Sequence, residues 1–156
     1  MWHDYRDRTD RILAAVEIPA LGVWTGAQIG FAFIFAPLAF KAIGDPARFG
    51  SVVTPVFAAL GPFGYVCGGI ALAVAVIRAA RADDRTADIF RALAIAIALG
   101  VLVYHQLTIV PAMAGIADVG SAAYHALHDR SRLIYGAVLV LGFGALVAAA
   151  ARPSRN

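Results

Sequence analysis

Four apolar runs constrain this chain more than anything else in it. They cover about residues 18–40, 56–77, 92–113 and 133–151, and none contains an Asp, Glu, Lys or Arg. Each reaches the roughly 20 residues that a ~30 Å hydrocarbon core demands of a helix. In lipid no water is on hand to pair backbone amides, so a spanning segment must satisfy them within itself. The α-helix does this alone. The run Ala92-Leu93-Ala94-Ile95-Ala96-Ile97-Ala98 alternates small and large and by itself reads as a strand. Its length and its neighbours favour a helix. The expected fold is all-α: a polytopic four-helix transmembrane bundle with short interfacial helices, forming a single membrane domain over residues 1–156.

Composition agrees. Of the 156 residues, 61% are hydrophobic and 15% charged, where soluble domains carry about 25% charged residues. The net charge is only +3 and the basic residues fall between the apolar runs rather than on one face. Nucleic acid is therefore not an expected partner; the lipid bilayer is. The one cysteine, Cys67, lies inside an apolar run and reads as a small buried residue. The first run is too long for the roughly 7–15 residue core of a cleaved signal. The excess of arginine over lysine, with abundant alanine and glycine, suggests a bacterial coding bias and hence a bacterial inner membrane.

The breaks between runs carry helix signals. Thr54-Pro55 fits a cap followed by proline at the first helical position, and Asp45-Pro46 does the same for a short helix over 47–53. Thr86 or Asp88 is a candidate cap for the third span. Ser121 is a candidate cap for an interfacial helix over 122–129 that runs on into the fourth span. Nine of the thirteen basic residues fall in the N-terminal segment, the loop between spans two and three, and the C-terminus. The positive-inside bias then places both termini in the cytoplasm.

Packing signals are also present. Gly22, Gly26 and Gly30 recur at every fourth position, and Gly64 and Gly68 repeat the spacing. Such glycines let helices approach closely, so Gly26 is expected against another helix, with a homodimer face as the alternative. Pro37, Pro62 and Pro111 each remove a helical hydrogen bond and are sites for a kink. Phe31, Phe33, Phe35 and Phe40 are expected to face lipid and to pack.

No catalytic or cofactor motif is found, and no metal site is expected. The candidates are polar groups at membrane depth. His105 lies about 13 residues into the third span, beside Tyr104, Gln106 and Thr108. At about 1.5 Å per residue from the cytoplasmic side it falls in the outer half of the bilayer. Ionisable groups there usually face the bundle interior. His125 and His128 share a helix face just before the fourth span. Together with His105, His128 is a weak candidate for holding haem or a metal. Thr25 and Gln28 lie mid-span, either bonded to a neighbouring helix or lining a path. Glu17 sits at the cytoplasmic edge, where a pair with Arg78, Arg81 or Arg91 is expected to be exposed and weak. A small outer polar pocket is expected among Gln28, Pro37, Tyr104, His105, Thr108, His128 and Ser131.

Three segments carry a family likeness. They are the first-span ending Gly30-Phe31-Ala32-Phe33-Ile34-Phe35-Ala36-Pro37-Leu38-Ala39-Phe40, the stretch from Tyr104-His105-Gln106 to Pro111-Ala112-Met113, and His128-Asp129-Arg130-Ser131-Arg132-Leu133-Ile134-Tyr135-Gly136. Over about residues 18–150 the chain resembles the transmembrane protein 205-like group of small four-helix membrane proteins. Pro37 and Phe40 match its first-span element, and His128 and Ser131 match the histidine and serine before its last span. The group tends to carry an asparagine where this chain has His105 or Gln106. The resemblance implies a fold more than an activity. Three functions follow as expectations: a binding or accessory subunit without catalytic activity, a small-molecule or ion transporter working as an oligomer, and a haem or metal redox protein. Another membrane protein or a second copy is a possible partner, and no cofactor is expected under the first reading.

Overall fold

The computed structural model describes residues 2–82 and 85–151, with side chains from Arg8 onward. Arg152 and Arg155, and the side chain of Arg6, all part of the charge bias above, lie outside the described residues. The chain forms α1 (Trp2–Ile29), a wide π-helical turn (Gly30–Phe35), α2 (Ala36–Ile43), α3 (Pro46–Arg81), α4 (Thr86–Tyr104), a second π turn (His105–Ile109), α5 (Val110–Ala114) and α6 (Ala122–Ala150). Joined end to end, these give four helices long and apolar enough to cross a membrane: Arg8–Ile43, Pro46–Arg81, Thr86–Ala114 and Ala122–Ala150. The long helices stand in a ring in the order α1, α3, α4, α6, and α6 closes back on α1.

The helix ends follow local chemistry. Asp45 caps α3, its carboxylate accepting from Arg48 N at 2.8 Å, with Pro46 at the first helical position. That cap is strong enough that α3 begins there. The expected break at Thr54-Pro55 is absent, and one 36-residue helix runs through Pro55 and Pro62. Gly44 makes the tight reversal before it. Its φ of +68° is left-handed, a conformation that a side chain resists. Ser121 caps α6 by accepting from Tyr124 N, and the interfacial helix and fourth span are continuous. Arg85, rather than Thr86 or Asp88, occupies the cap position of α4.

Two prolines shape the bundle through π turns. A helical proline ring clashes with the carbonyl four residues back. For Pro37 and Pro111 those carbonyls belong to Phe33 and Leu107, and both lie inside a π turn. In each turn the N–H just before the proline reaches five residues back, Ala36 to Phe31 O and Val110 to His105 O. The extra residue per turn widens the helix and takes up the clash.

The core is narrow and built of small residues around one large ring. Leu21, Trp24, Ala71, Ala75, Ile95, Ala98, Leu102, Val138, Ala145 and Ala149 form it. Trp24 sits where glycines of two helices, α3 and α6, make room. A Cβ on Gly64 would lie 2.8 Å from Trp24 Nε1, and one on Gly68 3.1 Å from its Cζ3. The same ring reaches Gly142 of α6, where a Cβ would stand 4.0 Å away. The stripe of Gly22, Gly26 and Gly30 behaves differently. Added Cβ atoms there would meet nothing within 4 Å, and Gly26 is exposed. The expectation that Gly26 packs on another helix of the bundle is thus corrected. The inward face of α1 is taken by Leu21, Trp24, Thr25 and Gln28, which turns the stripe outward. Large apolar side chains cover the outside, among them Phe33, Phe90, Leu107, Leu133 and Val140. Such a surface suits lipid and not water. Phe31, in contrast to Phe33, Phe35 and Phe40, is buried.

Candidate functional site

The bundle buries polar groups at two levels. At the level of the α3–α4 connection lie Glu17 of α1, Arg78 of α3, and Asp88 and Arg91 of α4, each no more than 5% exposed. Arg78 Nη1 donates to Glu17 Oε2 at 2.8 Å, and Arg91 Nη2 donates to Asp88 Oδ1 at 2.7 Å. Arg91 Nε stands 2.7 Å from Glu17 Oε1, but its N–H does not point at that oxygen, so the contact is Coulombic. Two guanidiniums and two carboxylates make the quartet formally neutral. The expected exposed pair at Glu17 is therefore corrected to a buried network that joins three helices. Arg78 and Arg91 are among the partners the sequence offered for Glu17, whereas Asp88 was not singled out as a member of the network. Its spacing offered a signal, since 88, 91, 95, 98, 102, 105 and 109 form the buried face of α4 and its π turn.

His105 occupies the other end of that face. It is 1% exposed, and its Nε2 lies 2.7 Å from Ser131 Oγ of α6. The π turn that begins at His105 sets the ring inward, against the edge of Phe57 of α3 at 5.3 Å between centroids. Phe57 packs in turn on Tyr135 at 5.2 Å and on Phe31 at 5.3 Å. The aromatic box thus draws on the π turn after α1, on α3 and on α6, and meets His105 through Phe57. Neither Phe57 nor Tyr135 was picked out as a site residue by sequence reasoning. Tyr135 lies four residues beyond Ser131, on the same face of α6.

Several buried polar atoms here have no hydrogen-bond partner among the described protein groups: His105 Nδ1, Tyr135 Oη, Gln28 Oε1 and, one turn further along α1, Trp24 Nε1. Thr25 is different, because its hydroxyl donates to Leu21 O at 2.7 Å within its own helix.

The residues expected in a shared outer pocket divide into two groups. Gln28 and His105 are buried and Ser131 is half-buried. Pro37, Tyr104, Thr108 and His128 are exposed on the bundle surface. His128 stacks on Tyr124, with ring centroids 6.1 Å apart, and His125 is exposed as well. Tyr104 instead meets Arg130, whose guanidinium lies 5.8 Å from the ring centroid. His105 and His128 accordingly do not face one another across a common site. Four residues at one depth are not one cluster, because a helix presents only one face inward. Among the described residues, no three His, Cys, Asp or Glu side chains gather as metal ligands.

The arrangement offers hydrogen bonding in a confined, uncharged interior at one level and a self-neutralised ionic joint at the other. No curated protein and no solved structure matches the chain. Residues 20–122, more than half of the chain, match the family described as "Domain of unknown function (DUF4149)". The match begins inside the first span, takes in the second and third, and ends at the first residue of α6, so Glu17, Ser131 and Tyr135 lie outside it. The chain belongs to the DUF4149 family.

Proposed function

We propose that this protein is a binding or accessory protein of a bacterial inner membrane, without catalytic activity and with both termini in the cytoplasm. One observation carries the reading: the bundle axis is filled. The ionic quartet closes one end, and Leu21, Trp24, Ile95 and Leu102, each no more than 2% exposed, fill the middle. A bundle so closed within one chain presents its outer surface and its ends to others. The likeness to the transmembrane protein 205-like group belongs to the same proposal, and no cofactor enters it. Reporter fusions at Asn156 and near Ala117 test the orientation; a cytoplasmic Asn156 and a periplasmic Ala117 are expected. Cross-linking in native membranes, followed by mass spectrometry, tests the role. A stoichiometric membrane-protein partner supports it, and solute flux through liposomes holding this chain alone overturns it.

The second reading is a transporter working as an oligomer. It draws on the stripe of Gly22, Gly26 and Gly30, which has the spacing of close helix contacts and at which an added Cβ meets nothing within 4 Å among the described residues. A path between copies would bypass the filled axis.

A further inference from the structure

The geometry points to a hydrated site inside the bundle: water bound between His105, Tyr135, Gln28 and Trp24, reached from the Ser131 end. These four side chains bring polar atoms without protein partners into the half of the interior away from the ionic quartet. Trp24, Gln28 and His105 are each no more than 3% exposed. Buried polar groups in native proteins are almost always paired, with protein or with ordered water. A buried water typically makes about three hydrogen bonds to groups of this kind.

The chemistry of the four groups selects the ligand. Trp24 Nε1–H only donates and Gln28 Oε1 only accepts. Tyr135 Oη does both. His105 Nδ1 donates or accepts according to the tautomer set by its bond to Ser131. A ligand that both donates and accepts suits the set. A charged one does not, because the buried charges lie at the other end and neutralise one another. Leu21, Ala71, Ala75, Ile95 and Ala98 separate the two levels with an apolar layer. Size points the same way. Phe31, Phe57 and Tyr135 stand 5.2–6.4 Å from one another between centroids and His105 stands 5.3 Å from Phe57, too close for a further ring to enter between them. Beside the indole, the lack of a side chain at Gly64 lets the α3 backbone come close, since a Cβ there would lie only 2.8 Å from Trp24 Nε1 and from Leu102 Cδ2, which leaves no place for a group larger than water. Ser131 is bonded to His105 yet half-buried, and its sequence neighbours Arg130 and Arg132 are exposed, so the way out of the interior runs past it. The site is independent of membrane orientation and of any partner.

Water-edited solid-state NMR on the full chain in lipid bilayers tests this, with the indole signal assigned through Trp24→Phe. Mobile water is expected to pass magnetisation to the Trp24 indole N–H and the His105 ring, while Leu21 and Ile95 stay dark. A second measurement keeps the test sharp if signals overlap. With water bound, Tyr135→Phe and Gln28→Leu remove its anchors and lower the melting temperature. In a dry interior the same changes delete unpaired polar atoms and raise it. No transfer to either group, or a rise in melting temperature for both variants, overturns the hydrated site.

Discussion

The two buried polar levels differ in how completely they are paired. At the quartet, every residue is held by an ion pair to a residue of its own or a neighbouring helix. At His105, one ring nitrogen meets Ser131 while the other, and the hydroxyl of Tyr135, have no hydrogen-bond partner among the described protein groups. Charge explains the contrast. An unpaired buried ion costs several kcal/mol, so a buried ionic site must close on itself. A neutral polar group left over costs about 1–3 kcal/mol and accepts water as a partner. Rigidity therefore belongs to the first level and adaptability to the second.

The largest expected effect comes from breaking the closed level. Glu17→Ala leaves Arg78 and Arg91 buried without the carboxylate they share, which should cost about 3–5 kcal/mol. Thermal unfolding in detergent would show the loss. A change under about 1 kcal/mol would mean that water or headgroups replace Glu17, and the contrast between the levels would disappear.

Between the levels stands Trp24, and Gly64→Ala probes it. The new methyl would lie 2.8 Å from the indole nitrogen and from Leu102 Cδ2. A buried indole ring cannot fold aside as a flexible chain end does, so overpacking should cost about 1–3 kcal/mol. Trp24 fluorescence should shift with it. An unchanged spectrum and stability would show that the ring has room to move and that the axis is not filled.

How much of this was legible in the sequence depends on what each feature requires. Spans, and the caps at Asp45 and Ser121, follow from local chemistry and were readable. So was an inward His105, because lipid penalises an ionisable group. The partners were legible only in part: Arg78 and Arg91 stood among the candidates for Glu17, while the burial of the network, the place of Asp88 in it and the pairing of His105 with Ser131 did not show. Glu17 and Arg78 are 61 residues apart, and helical periodicity tells which residues share a face but not which faces meet. The glycine stripe of α1 was misread for that reason: spacing identifies a surface that can pack, and Trp24, two positions beyond Gly22, took the inward direction. The prolines were read as kinks, whereas Pro37 and Pro111 are absorbed by π turns, whose five-residue bonds leave no periodic trace in six or fewer residues.

At the adaptable level the expected loss is smaller. Ser131→Ala removes the one protein partner of His105 Nε2. Interhelical hydrogen bonds in membranes contribute about 0.6 kcal/mol on average, and up to about 1.7. Ser131→Ala should fall in that range, measured beside Glu17→Ala in the same detergent. A loss as large as that of Glu17→Ala would show that the His105 level is as closed as the quartet and would remove the distinction.

The smallest effect is expected outside both levels. Gly26→Leu adds a large side chain to the outward face of α1, where a Cβ meets nothing within 4 Å. Leucine is also a better helix former than glycine, by about 1 kcal/mol per residue in a helix interior. The folded monomer should therefore be unaffected or slightly more stable. Glu17→Ala and Ser131→Ala should keep their separate costs when combined with it, since distant sites add. Self-association is the property Gly26→Leu should touch, because a leucine blocks close helix approach. Equilibrium sedimentation in detergent of wild type and variant separates the two. If the variant loses monomer stability, α1 packs by its glycine face after all, and the inward set of Leu21, Trp24, Thr25 and Gln28, on which both polar levels depend, would have to be rotated away.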